Sequence, residues 1–338
     1  MNTILISKTG GPNVMLQRTK PIPNPAEGEV LIEVKAAGIN FSDILTRKGL
    51  YPEAPKLPLV PGYEVSGIVR GVGNEVDRQL IGREVMSFTC FGGYSEYVSV
   101  PSYQVFTIPT GLRFIEAVAL PVAYSTAYLL VVVMGSLRSE GTILIHNAGS
   151  GIGLAAMEIA KHCNAFVIGT ASAKKHQKLK ELGFDLLIDY RTEKWEKEIN
   201  KLCAYRNIDL IIDPLGGKNW RKSYRVLGPT GRLGIYGISS VCGKKTGNFL
   251  NLLRSVLEMP FYHPLSFLDT NKGVFGVNMA HLWDQPDMIR TWMDEIIKGF
   301  HAGWIRPHID RVFKFSEVGE AHHYIESRKN IGKVVLIP

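Results

Sequence analysis

Along the first 125 residues, apolar positions come in short runs broken by turn residues. Glu29–Ala36 alternates apolar and polar over much of its length, as a half-buried strand does. Tyr63–Val69, Glu84–Phe88 and Ser95–Val100 read as further strands, punctuated by Pro61-Gly62, Gly71-Val72-Gly73 and Gly92-Gly93. Thr3–Ser7 is predicted to open the chain as a strand that runs into a Gly10-Gly11-Pro12 turn. From about Thr126 to Gly276 the texture changes to alternating strands and helices. Strands are predicted at Thr142–His146, Phe166–Thr170, Leu186–Asp189, Asp209–Asp213, Arg232–Tyr236 and Val274–Val277. Helices fall from Leu154 onward and at Lys174–Leu182, Thr192–Ala204 and Trp220–Leu227, with Gly183 and Gly228 as stops. That order predicts a parallel sheet with helices on both faces. The tail returns to strand, helix and strand at Arg311–Phe315, Ser316–Glu326 and Lys333–Ile337, and is expected to rejoin the first domain. Asn248–Thr270 is apolar, broken by prolines and fits no element.

Between the first two strands of the middle region lies the loop Ala148-Gly149-Ser150-Gly151-Ile152-Gly153. From Leu154 the apolar residues Leu154, Met157, Ile159 and Ala160 recur at helical spacing. Strand, glycine loop, helix, strand is the unit that holds a nucleotide pyrophosphate, although only Gly153 falls in register with the G-x-G-x-x-G pattern. Small residues let the backbone approach the phosphates, and the helix N-terminus offers free N–H groups and partial positive charge. A cofactor without a 2′-phosphate needs an acidic residue about 20 residues on. Here the second strand ends at Ser172, followed by Lys174 and Lys175, with no carboxylate in reach along the sequence. A hydroxyl and two ammonium groups suit a 2′-phosphate, so NADPH is the expected cofactor. Sequence alone does not say which lysine points inward.

Composition narrows the class. At 338 residues, 45% hydrophobic and 21% charged, the chain describes about two globular domains with ample core. The net charge of +8 is spread over Lys174–Lys180, Lys194–Lys201, Arg221–Arg225 and Lys244–Lys245, without the aromatic interleaving of a nucleic-acid surface. Cys90, Cys163, Cys203 and Cys242 form no metal or redox spacing, as suits a reducing cytoplasm. No signal peptide stands at the start. Ala117–Met134 falls short of a clean membrane span and is expected as a buried helix. The nine histidines cluster only at His322-His323, and no Ser-His-Asp or paired-carboxylate arrangement stands out.

A β-rich head, a nucleotide-binding middle and a β-returning tail resemble the layout of the medium-chain dehydrogenase/reductase superfamily. Its quinone oxidoreductase branch is resembled along nearly the whole chain: Ala37–Asp43, Arg47–Tyr51, Pro61–Val69, Gly93–Tyr97, Tyr124–Tyr128, Asp213–Gly217 and Asn330–Val334. His146-Asn147-Ala148, Gly169–Ser172 and Arg306–Asp310 resemble the synaptic vesicle membrane protein subgroup. The resemblance implies an α/β fold: a Rossmann doubly wound parallel sheet over residues 126–276, and a β-rich GroES-like domain built from residues 1–125 and 277–338. Zinc alcohol dehydrogenases place Cys where Asn40 stands and His where Tyr63 stands. The four-cysteine lobe for structural zinc is also missing, so no metal is expected.

Without a metal Lewis acid, alcohol oxidation gives way to hydride transfer onto an acceptor already activated by conjugation, a quinone or an α,β-unsaturated carbonyl. By resemblance, Asn40 and Thr126 lie near the nicotinamide, and Tyr51 and Tyr63 line the acceptor pocket as hydrogen-bond donors. Thr126 has a second reading, as a helix N-cap. Asp43 and Glu64 read as structural partners rather than acid–base groups. The resemblance adds Tyr190 beside Ser172 and Lys175 at the 2′-phosphate. It adds Tyr236, Gly237, Ile238 and Ser239 with Phe275, Gly276 and Val277 near the nicotinamide, and Asn330 near the phosphate. A nucleotide-binding module with little turnover stays open as a second function. The open sheet edge at Val274–Val277, with apolar Phe249–Phe267 nearby, predicts a homodimer.

Overall fold

The computed structural model describes residues 1–191, 194–239 and 257–338. It divides into two compact units, Met1–Ser125 with Met279–Pro338, and Thr126–Asn278.

The head of the first unit is nearly all strand. β1 (Asn2–Ile6) and β2 (Met15–Thr19) pair antiparallel. β3 (Glu29–Gly38) then carries a strict alternation from Val30 to Ala36, and its inward residues Val30, Ile32 and Val34 are buried. After α1 (Phe41–Arg47) come β4 (Glu64–Val72), β5 (Glu84–Phe88), β6 (Tyr97–Pro101) and β7 (Val105–Thr107). A helical run follows from Phe114 to Val133, containing the α-turns α2 (Phe114–Ala117) and α3 (Ser125–Tyr128) and two π-type stretches, Leu120–Tyr124 and Leu129–Val133. By length and composition this run could cross a bilayer, with a mean hydropathy of 1.7. Its most apolar stretch is 72% buried, as in a core helix.

The second unit alternates β8 (Thr142–Ile145), α4 (Gly151–His162), β9 (Phe166–Ala171), α5 (His176–Leu182), β10 (Leu186–Asp189), α6 (Trp195–Leu202), β11 (Leu210–Asp213), α7 (Lys218–Val226), β12 (Arg232–Ile235), α8 (Pro264–Thr270) and β13 (Gly273–Gly276). All six strands are parallel, in the order β10-β9-β8-β11-β12-β13. Counted within the unit this is 3-2-1-4-5-6, the Rossmann order, and it reverses direction between β8 and β11. Parallel strands are covered on both faces, so they read as continuous apolar runs: all four residues of β8 are buried. Trp195 and Ile199 from α6 and Val226 from α7 pack with Leu144, Ile211 and Leu233 of the sheet.

The tail returns to the first unit as α9 (Pro286–His301), β14 (Ile309–Lys314), α10 (Val318–Glu326) and β15 (Lys333–Ile337). β15 pairs with β3, placing the C-terminal strand beside the head in the order β14-β15-β3-β4-β5-β7, with β6 on β3. This is the β-rich GroES-like unit.

Differences from the sequence reading are local. The sixteen-residue α9 occupies a stretch to which no element is assigned, although Ile289, Trp292, Met293 and Ile296 bury one helical stripe. Gly183 does end α5, with φ +130°, but α7 ends at Val226 and the extended Leu227 stops it before Gly228. The start of the expected Thr192–Ala204 helix, residues 249–256 of the Phe249–Phe267 segment, Cys242 and the Lys244–Lys245 pair lie outside the described residues.

Candidate active site

In the second unit the expected cofactor residues gather along the carboxyl edge of the sheet, where open α/β folds bind ligands. The loop after β8 holds Asn147 in the left-handed region at φ +56°, and Ser150 caps α4 by accepting from the Gly153 amide at 3.0 Å. The cap leaves the Gly151 and Ile152 amides as first-turn donors. Gly153 is glycine for a steric reason: a Cβ there would lie 2.6 Å from the Ala148 carbonyl oxygen and 2.8 Å from that of Asn147. One glycine in register is therefore enough to seat the helix against the strand turn.

Past β9, Ser172 and Lys175 are half-buried, Lys174 is exposed, and Tyr190 stands 40% exposed after β10. Sequence reading finds no carboxylate here, and the structure corrects it. Asp189, on the neighbouring strand, accepts from Ala173 N at 3.0 Å and from Arg191 N at 2.9 Å. The Arg191 amide, more than any other neighbour, draws the Asp189 pKa below the ordinary carboxylate range. Arg191 itself brings a third cation to this edge, its side chain about half exposed and its Nε 3.7 Å from Asp189 Oδ1. Sequence reasoning missed both residues because pairing between β9 and β10, not chain spacing, puts them beside Ser172. Farther along the edge, Ser239 N donates to Pro214 O at 2.8 Å, and Val277 N donates to Ile235 O at 2.9 Å. The Tyr236 hydroxyl is buried beside the Ser150 side chain, and burial raises its pKa.

Beneath this edge the structure gathers His146, Ser223 and Asp213, a trio no spacing in the sequence marks. His146 Nε2 is 3.1 Å from Ser223 Oγ, and Ser223 Oγ donates to Asp213 Oδ2 at 2.8 Å. All three are at most 1% exposed. The carboxylate bonds the serine rather than the imidazole Nδ1, so the order of a hydrolytic triad is absent. Thr126, at the first position of this unit, lies buried inside the helical run, which removes its reading as an N-cap.

In the first unit Asn40, Asp43, Glu64 and Lys333 meet where α1, β4 and β15 converge. Asp43 Oδ2 accepts from Asn40 N at 2.8 Å and its Oδ1 accepts from Gly62 N at 2.8 Å, fixing the start of α1 to the turn before β4. Burial pushes the Asp43 carboxyl up to about 7, against the pull of those two amides. Asn40 Nδ2 donates to Glu64 Oε1 at 2.8 Å, and Lys333 Nζ donates to Asn40 Oδ1 at 2.7 Å and to Glu64 Oε1. The other Glu64 oxygen accepts from Val122 N at 2.8 Å. Gly38 makes room for the pair, since a Cβ there would fall 2.5 Å from Glu64 Oε1. Lys333 is absent from the expected site residues, and only the pairing of β15 with β3 brings it to Asn40.

Tyr51 and Tyr63 do lie together, ring centroids 5.7 Å apart edge to face, with Phe91 4.9 Å from Tyr63. The Tyr63 hydroxyl is 3.1 Å from that of Thr46. Burial raises the pKa of both phenols, so each stays a neutral donor. Asn330 donates to Gly332 O at 2.9 Å on the turn before β15.

A family model described as zinc-binding dehydrogenase matches residues 182–336, and one described as alcohol dehydrogenase GroES-like domain matches residues 26–110. The synaptic vesicle membrane protein VAT-1 homolog of Danio rerio is 35% identical over 98% of this chain and 69% of its own length. The chain belongs to the medium-chain dehydrogenase/reductase superfamily. A second member, the quinone oxidoreductase of Lama guanicoe, is 30% identical over 100% of this chain and 97% of its own. Among solved medium-chain structures, Escherichia coli quinone oxidoreductase complexed with NADPH superposes with a TM-score of 0.87 at 27% identity, over 100% of both chains. The chain is thus an oxidoreductase of the medium-chain type. One of the two family descriptions names zinc. An amide at Asn40 and a phenol at Tyr63 replace thiolate and imidazole, and among the described residues no group of three or more His, Cys, Asp or Glu is placed to hold a metal.

Proposed function

We propose that the chain is an NADPH-dependent, zinc-independent reductase of quinones or α,β-unsaturated carbonyls. The observation that carries this reading is the presence of three cations, Lys174, Lys175 and Arg191, on the segments that follow β9 and β10 at the carboxyl edge of the 3-2-1-4-5-6 sheet, with Asp189 bonded to backbone amides and 3.7 Å from Arg191 Nε. NADPH bound in the E. coli relative supports the same cofactor. The residues present suit it. Glycines and α4 amides cradle the pyrophosphate, and Ser172, Lys175, Arg191 and Tyr190 surround the 2′-phosphate. Tyr236–Ser239 and Phe275–Val277 are assigned to the nicotinamide end.

When bound, NADPH supplies the hydride. The chain's own contribution is to orient and shield. Asn40 and Thr126 position the nicotinamide, and Asn330 supports the phosphate. Tyr51 and Tyr63, held neutral by burial, donate hydrogen bonds to the acceptor oxygen as negative charge develops on it. No metal enters the scheme, because Asn40 is committed to Glu64 and Lys333. The expected setting is a cytoplasmic homodimer paired along β13. Steady-state oxidation of NADPH across a panel of quinones and enones tests the reading. Turnover supports the reductase. Tight NADPH binding with no turnover anywhere in the panel replaces it with a nucleotide-binding module.

A further inference from the structure

The buried trio in the second unit extends to Thr170, and its donors and acceptors fall in one order. Asp213 accepts three hydrogen bonds: from Leu215 N at 2.7 Å, from Asn219 Nδ2 at 2.6 Å and from Ser223 Oγ at 2.8 Å. A carboxylate has no proton to give, so the Ser223 hydroxyl hydrogen points at Asp213. Ser223 Oγ then has only lone pairs to offer His146 Nε2 at 3.1 Å, and the imidazole must be the donor. Desolvation keeps the ring neutral, lowering its pKa against the opposing pull of Asp213. A neutral ring has one N–H. With that hydrogen on Nε2, Nδ1 is an acceptor, and the Thr170 hydroxyl 3.0 Å away is its donor. Trp195 closes the remaining side, its ring centroid 4.7 Å from that of His146.

We infer that His146 is locked as the Nε2–H tautomer in a one-way hydrogen-bond chain, Thr170 to His146 to Ser223 to Asp213, and acts as a positioning residue for the dinucleotide site. Each link belongs to a different structural element. Thr170 lies at the end of β9, two residues before Ser172, and His146 immediately precedes the glycine loop. Ser223 sits on α7, and Asp213 ends β11 and anchors the Leu215–Asn219 turn. The chain therefore ties together, from below, the loops that the proposed function assigns to the 2′-phosphate and the pyrophosphate, and it reaches the nicotinamide end through the Asp213 turn, where Pro214 O accepts from Ser239 N at 2.8 Å. It rests on that function for its ligand, whereas the tautomer rests on the hydrogen-bond geometry and the burial of the ring.

The test has two arms, both on the full chain. In ¹⁵N-labelled protein at pH 7, the His146 ring, assigned by the signal lost in His146→Gln, is expected to show a protonated Nε2 and a bare Nδ1. A protonated Nδ1, or an imidazolium, overturns the inference. The second arm measures NADPH dissociation constants. His146→Leu and His146→Asn, which leave Ser223 without its donor, are expected to weaken binding about tenfold, the loss of one buried hydrogen bond. His146→Gln, whose amide reaches the Nε2 position, is expected to stay within about threefold of wild type, since only the donor matters. Unchanged affinity in the leucine variant, or rescue by asparagine and not by glutamine, overturns the positioning role. Where a variant fails to fold, the tautomer of the wild type still decides. Wild type that does not bind NADPH sinks the cofactor reading and leaves the tautomer standing.

Discussion

Lys333 and Glu64 form an ion pair inside the first unit, with side chains 5% and 0% exposed, across 269 residues of sequence. Asn40 bridges the two, and the second Glu64 oxygen takes the Val122 amide. Every strong acceptor in the cluster is satisfied, the condition under which a buried pair is tolerated. Lys333→Met removes one partner and strands a buried carboxylate, so it is expected to cost about 3–5 kcal/mol in urea unfolding. Adding Glu64→Gln should recover part of that loss. A single-variant cost below about 1 kcal/mol, typical of exposed pairs, would show that water replaces the lysine.

Two buried groups in the same unit titrate in opposite senses. Burial, reinforced by Arg47, lowers the His322 pKa to about 3, and burial raises Asp43 to about 7. His322 is depressed below its unfolded value of about 6.5, so its contribution is present above that pH and lost as pH falls toward 3. Asp43 is raised, so its contribution is full below its unfolded value and lost as pH rises through 7. Between about pH 4 and 6.5 the two slopes oppose each other, each near 1.4 kcal/mol per pH unit. The stability difference between wild type and His322→Leu should therefore shift against wild type on acidification from pH 6.5 to 5. The difference between wild type and Asp43→Asn should shift the other way. Denaturant midpoints at four pH values measure both, and parallel curves for either pair would remove that residue from the account.

What the sequence discloses follows the range of the interaction. Periodic burial is local, so the alternation in Glu29–Gly38 and the apolar β8 are legible, and both units follow from them. The missed α9 carries the stripe Ile289, Trp292, Met293, Ile296, but its first turn, Pro286-Asp287, follows a Gln285 that makes no side-chain cap and reads as the end of a loop. Lys333 beside Asn40, Arg191 beside Ser172 and His146 beside Ser223 are products of strand pairing between distant segments, and no spacing encodes them. Tyr51 beside Tyr63 came from resemblance alone, and the rings do touch.

Assembly is expected to use the free edge of the second unit. Among the described residues β13 pairs only with β12 in the sheet, and on the chain leading to it Phe261, Leu265 and Leu268 are 89%, 60% and 73% exposed. An unpaired edge flanked by exposed apolar side chains favours a symmetry mate. Sedimentation at micromolar concentration should give a dimer, and Leu265→Glu with Leu268→Glu should shift it toward monomer. A monomeric wild type refutes the edge.

Zinc independence is a question of donor chemistry. The Asn40 amide serves Glu64 and Lys333, and the Tyr63 hydroxyl lies against Thr46. Purified protein should therefore carry no stoichiometric zinc, and a chelator should leave NADPH oxidation unchanged. One zinc per chain, with activity lost on its removal, would overturn the scheme.

Cofactor choice should be decided at the ends of β9 and β10. Lys175 is half-buried beside Ser172, Lys174 faces solvent, and Arg191 stands on the adjacent strand end where Asp189 holds its amide. A charge-assisted hydrogen bond contributes about 1.5–3 kcal/mol, so losing one should weaken NADPH binding about 10- to 100-fold. NADH has no 2′-phosphate and should lose little. Burial ranks Lys175→Ala above Lys174→Ala. Arg191→Ala tests the residue that the sequence did not mark, and its planar fork is better matched to a phosphate than either ammonium. Titrating both nucleotides into wild type and the three variants separates these contributions. If wild type binds NADH as tightly as NADPH, or if none of the three substitutions narrows the gap, the 2′-phosphate does not sit on this edge. The Rossmann order of the sheet would survive that result, because it rests on strand pairing and not on these cations.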